Sequence, residues 1–310
     1  MKLPVIRAFS AGLALFFSKP IEFIKALWLP ALIMMAAMIF IMPRYLEIST
    51  SLAALDPESD PQEVLAAMGP MAKYMGLLYL AMAVVYPMMA AGVLKYIIRG
   101  NRLRSPFYLQ FGGDEFNILL SIILLFIMLG ISYVAGALAL LVVTAVAAAL
   151  APTIAAIIAP MGFLAFGGAI AWFLLRMSLT LPATIGVRKI GLAESWRLTQ
   201  GNAWRLFFYW LLWMVVFIVI MLIYFSIGAA GYFAAFMEVI SSAEQGADAM
   251  QEVQARMLEI QRDMWNPAKP GFWPFAIATY LYTIVYSALW NIAGGVAYRY
   301  LAGDQQTELA

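Results

Sequence analysis

The distribution of charged residues divides this sequence into long apolar segments. Sixty consecutive residues, 116–175, carry no charged side chain. A helix that crosses the hydrocarbon core of a bilayer needs about 20 apolar residues at a rise of about 1.5 Å each, so this segment is long enough to cross twice. Surface helices of a soluble domain need polar faces, which this segment lacks. The pattern therefore predicts a chain that spans a membrane several times.

Apolar segments on either side bring the predicted number of spans to six. We expect a kink at Pro30 in the first span, and we expect Pro152 and Pro160 to mark a turn of about ten residues between the third and fourth. Asp114 is expected to cap the third span, with Asn117 assisting. The predicted fold is an all-α membrane bundle of six transmembrane helices plus interfacial amphipathic helices, in a single domain. The spans lie at about residues 23–42, 71–98, 117–149, 153–181, 203–236 and 273–298.

The positions of lysine and arginine predict the orientation of these spans. If successive connections lie on alternate sides, 14 of the 19 basic residues fall on one side. The positive-inside rule makes that side cytoplasmic and places both ends of the sequence there. Three short helices in the charge-free segment are the alternative to two. We reject three, because they would export the basic cluster between Arg188 and Arg205.

The first seventeen residues are predicted to form an interfacial helix and not a signal peptide. Apolar residues recur three or four positions apart from Val5 to Phe16, beside the cationic Lys2 and Arg7. The apolar run ends at Ser18 without a small-x-small cleavage motif, so we expect no cleavage. An amphipathic helix lying in the cytoplasmic interface explains this pattern.

Two segments on the opposite side are also predicted to be helical. Asp60, Pro61 and Glu63 have the residue types typical of a helix start, and we expect Pro70 to interrupt that helix before the second span. Residues 241–266 carry apolar side chains three and four apart, which predicts one apolar stripe. The stripe packs either on the helix of the first external loop or on the bilayer surface, or it docks a partner.

Composition limits the chemistry that such a protein can perform. Hydrophobic residues make up 65% of the chain and charged residues 12%, and the mean hydropathy is +0.88. There is no cysteine, which excludes disulfides and thiol chemistry, and no histidine, the commonest general base and metal ligand. No acidic residue or arginine lies securely at the centre of a predicted span, where ion-coupled transporters usually place one. We therefore expect no enzyme activity, no cofactor and no metal site.

The densest polar segment of the sequence follows the fourth predicted span. Residues 191–200 are predicted to form a short amphipathic helix with Leu192 and Trp196 on its apolar side. Glu194 lies three residues before Arg197, which predicts a local ion pair on that helix. The segment combines this helix with several further cations, so it is the candidate functional site of the chain.

Three interpretations of this site remain open. Its cations either meet anionic lipid head groups, at about 1 kcal/mol each, or form a specific lipid or ligand pocket in which Arg176 faces the bundle, or bind a regulatory partner. Within the membrane, Asn291 either joins helices by a hydrogen bond or lines a polar cavity, and we expect a packing role. The residues predicted to contact lipid or ligand are Arg176, Arg188, Lys189, Glu194, Arg197, Asn202 and Arg205.

The same segment carries a resemblance to a known bacterial pattern. The residues Arg176-Met-Ser-Leu-Thr-Leu-Pro-Ala, then Gly186, Gly191 and the run ESWRLTQGNAWRLF at 194–207, resemble the six-helix membrane domain fused to some glycerophosphodiester phosphodiesterases, and related stand-alone inner-membrane proteins of unknown role. The resemblance implies a membrane location and a six-helix fold. The phosphodiesterase activity of the fused relatives belongs to a separate soluble domain with histidine-dependent chemistry, so the resemblance transfers no catalytic residue.

These observations predict a non-enzymatic, multi-pass protein of the bacterial inner membrane. It is expected to contact membrane lipids, with anionic head groups at the cytoplasmic face, and a membrane partner, either another protein or a second copy of itself. No nucleic acid is expected as a partner. The alternative is a transporter or flippase-like protein with a site within the helical bundle, which a polar cavity lined by Asn291 or Arg176 would favour.

Overall fold

The structure is a computed structural model in which every regular element of the described residues is an α-helix. It describes residues 2–53, 60–100, 108–228 and 247–303, with isolated positions between 229 and 246. Four helices are shorter or more polar: α1 (Val5–Ser18), α6 (Thr180–Val187), α7 (Leu192–Thr199) and α9 (Ala247–Met264). Six are long: α2 (Pro20–Ala53), α3 (Pro61–Arg99), α4 (Gly113–Leu150), α5 (Pro152–Met177), α8 (Ala203–Gly228) and α10 (Phe272–Ala302).

Within the described residues, six segments are long and apolar enough to cross a membrane, as the sequence predicted. The fourth segment continues from α5 through α6 to Val187. The fifth is described as far as Gly228, so its predicted extension to residue 236 falls largely outside the described residues. The prediction of an all-α bundle with six candidate spans is confirmed. The chain is a multi-pass membrane protein.

The charge-free segment forms two helices, α4 and α5, but the predicted turn between them is wrong. Only Ala151, in an extended conformation, separates the two helices. Pro152 opens α5 at a position where a backbone N–H has no helical partner, so a proline is tolerated there. Pro160 lies inside α5 and does not break it.

Two other prolines also fail to end a helix. Pro70 lies inside the continuous helix α3, so the predicted interruption before the second span is wrong. Pro43 lies inside α2, as does Pro30, the position of the predicted kink. The pairing of α2 with α3 is the most extensive helix contact of the described residues. The predicted start of α3 is confirmed, because the carboxylate of Asp60 accepts from the N–H of Gln62 at 2.9 Å.

The core of the bundle forms around α10, which α1, α2, α3 and α8 contact. The amphipathic helix predicted at the N-terminus is confirmed as α1, and it packs onto α8 and α10. Among the described residues, the helix α9 packs mainly against α2, through a cluster that holds Leu258 and Trp265. The first half of the predicted apolar stripe has side chains outside the described residues.

The two ends of the bundle differ in charge. We call the end where α3 and α10 finish and α4 and α8 begin the basic end, since it carries Arg99, Arg188 and Arg205. The opposite end, with Leu65 and the Ala151 turn, is the far end. The hairpin of α4 and α5 contacts the rest of the bundle through α3, α6, α7 and α8. No residue in the most apolar 18-residue stretch of the fourth span is buried by protein, as expected for a helix surface that faces lipid.

Candidate functional site

Arg176 occupies the last turn of α5 at a junction with α7. Its backbone carbonyl accepts two hydrogen bonds from α7, from Ser195 Oγ at 2.9 Å and from Thr199 Oγ1 at 3.1 Å. Carbonyls in the last turn of a helix have no partner within that helix, and these hydroxyls supply one. The two bonds hold α7 across the end of α5 and fix the position of the arginine.

The guanidinium of Arg176 is buried against two tryptophans without an anionic partner. Its Cζ lies 4.3 Å from the ring centroid of Trp196 and 5.6 Å from that of Trp172, and the two indole planes meet at 89°. The residue as a whole is 5% exposed, and within the described residues its side chain makes no ion pair or hydrogen bond; Nε is fully enclosed. A cation–π contact contributes about 2 kcal/mol when desolvated, whereas burying an ion costs several kcal/mol. The protein alone leaves this charge undercompensated.

The helix α7 is confirmed, and the face that the protein buries is not its apolar side. Ser195 and Thr199 are fully buried, whereas Leu192 is partly buried and Trp196 is 36% exposed. The reason is that the hydroxyl groups cap α5, so the polar side of α7 turns inwards. Trp196 is left at the edge, where it covers the guanidinium of Arg176.

The turn that leads into α7 is packed tightly against α6. The N–H of Gly191 donates to Thr184 Oγ1 at 3.0 Å, and Thr184 Oγ1 lies 2.9 Å from Ser121 Oγ of α4. A Cβ atom at Gly191 would lie 2.3 Å from the backbone nitrogen of Thr184. Only glycine fits at this position, so α6 and α7 form one packed unit against the start of α4.

The predicted cations of this segment have different surroundings. Arg197 forms the predicted ion pair with Glu194, with Nη2 2.6 Å from Oε1, and this prediction is confirmed. Arg188 and Lys189 are exposed on the turn between α6 and α7, and the described part of the chain supplies no carboxylate to either. Arg188 has a left-handed backbone, with φ of 56°.

Asn202 and Arg205, which the sequence grouped with this site, hold the N-terminal segment instead. Asn202 is buried, and its Oδ1 accepts from the N–H of Leu3 at 3.0 Å. Arg205 Nη1 donates to the carbonyl of Leu3, also at 3.0 Å. Both backbone polar groups of the buried residue Leu3 are satisfied in this way, so these two side chains position the segment before α1.

A buried cluster of four charges joins α3 to α4 and was not predicted. Lys95 Nζ lies 2.7 Å from Glu115 Oε1 and 3.1 Å from Asp114 Oδ2, and Arg99 forms a bidentate pair with Asp114 at 2.7 and 2.9 Å. The Tyr108 hydroxyl donates to Glu115 at 2.5 Å, and its burial, together with the neighbouring carboxylate, raises the pKa of this phenol. The Glu115 side chain is fully buried.

This cluster corrects two sequence predictions. Asp114 does not cap α4, because its carboxylate pairs with Lys95 and Arg99; the helix begins after Gly112, whose N–H donates to Glu115 at 2.9 Å. Asn117 does not assist a cap either. Its Nδ2 donates to the carbonyl of Arg188 at 3.4 Å and so links α4 to the turn after α6.

Asn291 lies in the packed core of α10. It is 3% exposed, and its Nδ2 donates to the carbonyl of Ser287 in the same helix at 2.8 Å. A cavity of about 310 Å³ is found at the basic end, between the ends of α3, α6 and α10. It is lined by Ile98, Arg99, Gly186, Arg188, Tyr298, Ala302 and Gly303.

Neither Asn291 nor Arg176 lines this cavity. Within the described residues, no group of three or more acidic residues is placed to hold a metal ion. Comparison with protein-family models, with curated proteins and with solved structures finds no match.

Proposed function

We propose that this multi-pass membrane protein is a non-enzymatic module of the bacterial inner membrane, with its basic end at the cytoplasmic leaflet, where it contacts anionic lipids. The observation that supports the proposal most directly is that helices far apart in the sequence bring basic side chains together at one end of the bundle. A membrane partner, either another protein or a second copy, is part of the proposal. The cations of this end include Lys95, Arg99, Arg188, Lys189, Arg197, Arg205 and Arg299.

The exposed cations of the basic end are the ones suited to lipid contact. Lys95 and Arg99 are neutralised by buried acids, whereas Arg188 and Lys189 are exposed. Trp204 nearby in the sequence is 75% exposed at the start of α8, and exposed tryptophans are typical of the head-group region. Basic side chains beside interfacial aromatic residues favour contact with an anionic leaflet.

The structure offers less support for transport. A transport site between the helices needs a polar cavity inside the bundle, and the cavity described above opens at the basic end, away from Asn291. Asn291 is enclosed by the core and bonds within its own helix. The resemblance of residues 176–207 to the six-helix membrane domain is compatible with a lipid-contacting module. We propose that the chain belongs to that family.

The double variant Arg188→Gln, Lys189→Gln tests the proposal. Each cation near an anionic leaflet contributes about 1 kcal/mol, which is roughly fivefold in preference. We expect the variant to lose much of the enrichment of phosphatidylglycerol over phosphatidylethanolamine among the lipids that copurify in mild detergent, with a weaker effect at high salt. Mass spectrometry of the lipids measures this ratio.

Arg44→Gln is the matched control, because Arg44 is an exposed cation towards the far end. It should leave the lipid ratio unchanged. A wild-type protein with no enrichment of the anionic lipid, or a double variant with the wild-type ratio, would contradict the proposal.

A further inference from the structure

We infer that Arg176, enclosed by Trp172 and Trp196, is a stoichiometric binding site for the phosphate group of an anionic phospholipid. The inference rests on the proposed function and deepens it, since it separates one specific site from the general attraction of exposed cations. The observation behind it is an arginine residue that is only 5% exposed, with an enclosed Nε that has no partner among the described residues.

The charge of this site persists at any pH that the protein encounters. Arginine is not deprotonated in proteins, so the buried side chain cannot become neutral as a lysine can. Aromatic rings attract a cation through their π electrons, but they do not replace the strong, charge-assisted hydrogen bonds that an anion accepts from a guanidinium. The nearby Glu194 is committed to Arg197 through two contacts of 2.6 and 3.0 Å. The missing partner of the guanidinium is therefore an anion from outside the described chain.

The chemistry of arginine selects the type of anion. Its planar fork matches phosphate and carboxylate oxygens in a bidentate manner, which a lysine ammonium does not. A phosphate diester of a lipid meets this requirement at the level where α5 ends, since Arg176 lies in the last turn of that helix. The two indoles are themselves 48% and 36% exposed, so an anion reaches the guanidinium by displacing surface side chains, without opening the core.

The surface next to Arg176 favours a lipid over a free phosphate ion. Trp172, Ala169 and Ala165 precede the arginine by four, seven and eleven residues, so they share its face of α5, and all three are exposed. This apolar face extends about 16 Å from the arginine towards the far end. A head group at Arg176 thus places the acyl chains along an exposed apolar helix.

Native mass spectrometry of the full chain in mild detergent tests the inference with three probes. We expect one phosphatidylglycerol molecule per chain to be retained by the wild type, weaker retention of phosphatidylcholine, and no displacement by millimolar inorganic phosphate. Arg176→Gln should reduce phosphatidylglycerol occupancy about tenfold or more, because charge-assisted hydrogen bonds are lost. Arg176→Lys should bind several-fold more weakly than the wild type, since it keeps the charge without the fork. Arg44→Gln is the control and should match the wild type.

The possible outcomes distinguish the inferred lipid site at Arg176 from the proposed general contact of the protein with anionic lipids. Wild-type occupancy in Arg176→Gln would overturn the inference, as would binding of inorganic phosphate with no lipid retained. Should Arg176→Gln fail to fold, Arg176→Lys decides, and equal occupancy in this variant and the wild type would contradict the bidentate site. If Arg176→Gln binds normally while Arg188→Gln, Lys189→Gln loses anionic lipid, the inference fails and the proposed function stands. If neither changes lipid binding, both fail.

Discussion

Replacing Glu115 with alanine is expected to destabilise the folded protein by about 3–5 kcal/mol, because removal of one member of a buried ion pair leaves its partner uncompensated. The carboxylate accepts from Lys95, Tyr108 and Gly112, at 2.7, 2.5 and 2.9 Å, and is itself fully buried. Lys95 keeps a second carboxylate, that of Asp114, at 3.1 Å, which places the expected effect towards the lower end of the range.

Titration of the purified protein with SDS, followed by circular dichroism, measures this loss as a shift of the unfolding midpoint. Glu115→Gln should be intermediate, since its amide still accepts hydrogen bonds but carries no charge. Asp263→Ala is the matched control, because Asp263 pairs with Lys269 at 3.1 Å while the two side chains are 39% and 49% exposed, and ion pairs in contact with solvent contribute less than about 1 kcal/mol. A Glu115→Ala midpoint equal to that of the control would show that the buried cluster does not join α3 to α4.

Replacing Gly191 with alanine is the second large expected effect, about 3 kcal/mol of lost stability. The new Cβ atom would lie 2.3 Å from Thr184 N and 2.7 Å from both Ala183 C and Thr180 O. All three are backbone atoms of α6, so no side-chain rotation relieves the overlap. We expect α7 to move away from α6 and from the end of α5, which breaks the bonds of Ser195 and Thr199 to Arg176.

Amide hydrogen exchange of residues 192–199 measures this displacement directly, and exchange there should become faster in Gly191→Ala. Gly130→Ala is the control, because a Cβ at Gly130 meets no heavy atom within 4 Å and alanine is the better helix former by about 1 kcal/mol. Unchanged exchange in α7 and an unchanged unfolding midpoint for Gly191→Ala would contradict the packing of α6 against α7.

The membrane-spanning architecture was predictable because its signal is long and local. A run of 60 uncharged residues and the uneven placement of lysine and arginine need no knowledge of tertiary contacts. Helix ends were less predictable. Pro70 and Pro160 suggested breaks, but both lie inside continuous helices. A helix in hydrocarbon has no water to satisfy broken backbone hydrogen bonds, so it continues through a proline that would end a helix in water.

The sequence predicted which segment holds the candidate site, but not which side chains of that segment are buried or contact one another. The sequence placed Arg176 near α7 and paired Glu194 with Arg197, but it gave no reason to turn Ser195 and Thr199 inwards. Trp172 lies one helical turn before Arg176, and this spacing is the signal that could have placed an indole beside the guanidinium.

The buried cluster was missed for a different reason. Lys95 and Glu115 stand at the ends of two apolar segments, where charged residues ordinarily face water, and they lie 20 positions apart in the sequence. Their pairing depends on the packing of α3 against α4, which the pattern of charges alone does not specify.

Labelling of single cysteines tests the central claim most directly, namely that the helices cross the membrane with the basic end in the cytoplasm. The chain has no native cysteine, so Ile190→Cys at the basic end and Leu65→Cys at the far end each provide one thiol at an exposed position, 37% and 72% exposed respectively. In sealed right-side-out vesicles, a membrane-impermeant maleimide should label the Leu65→Cys protein and leave Ile190→Cys unlabelled, and inverted vesicles should give the opposite result. Labelling of Ile190→Cys in right-side-out vesicles would contradict the account.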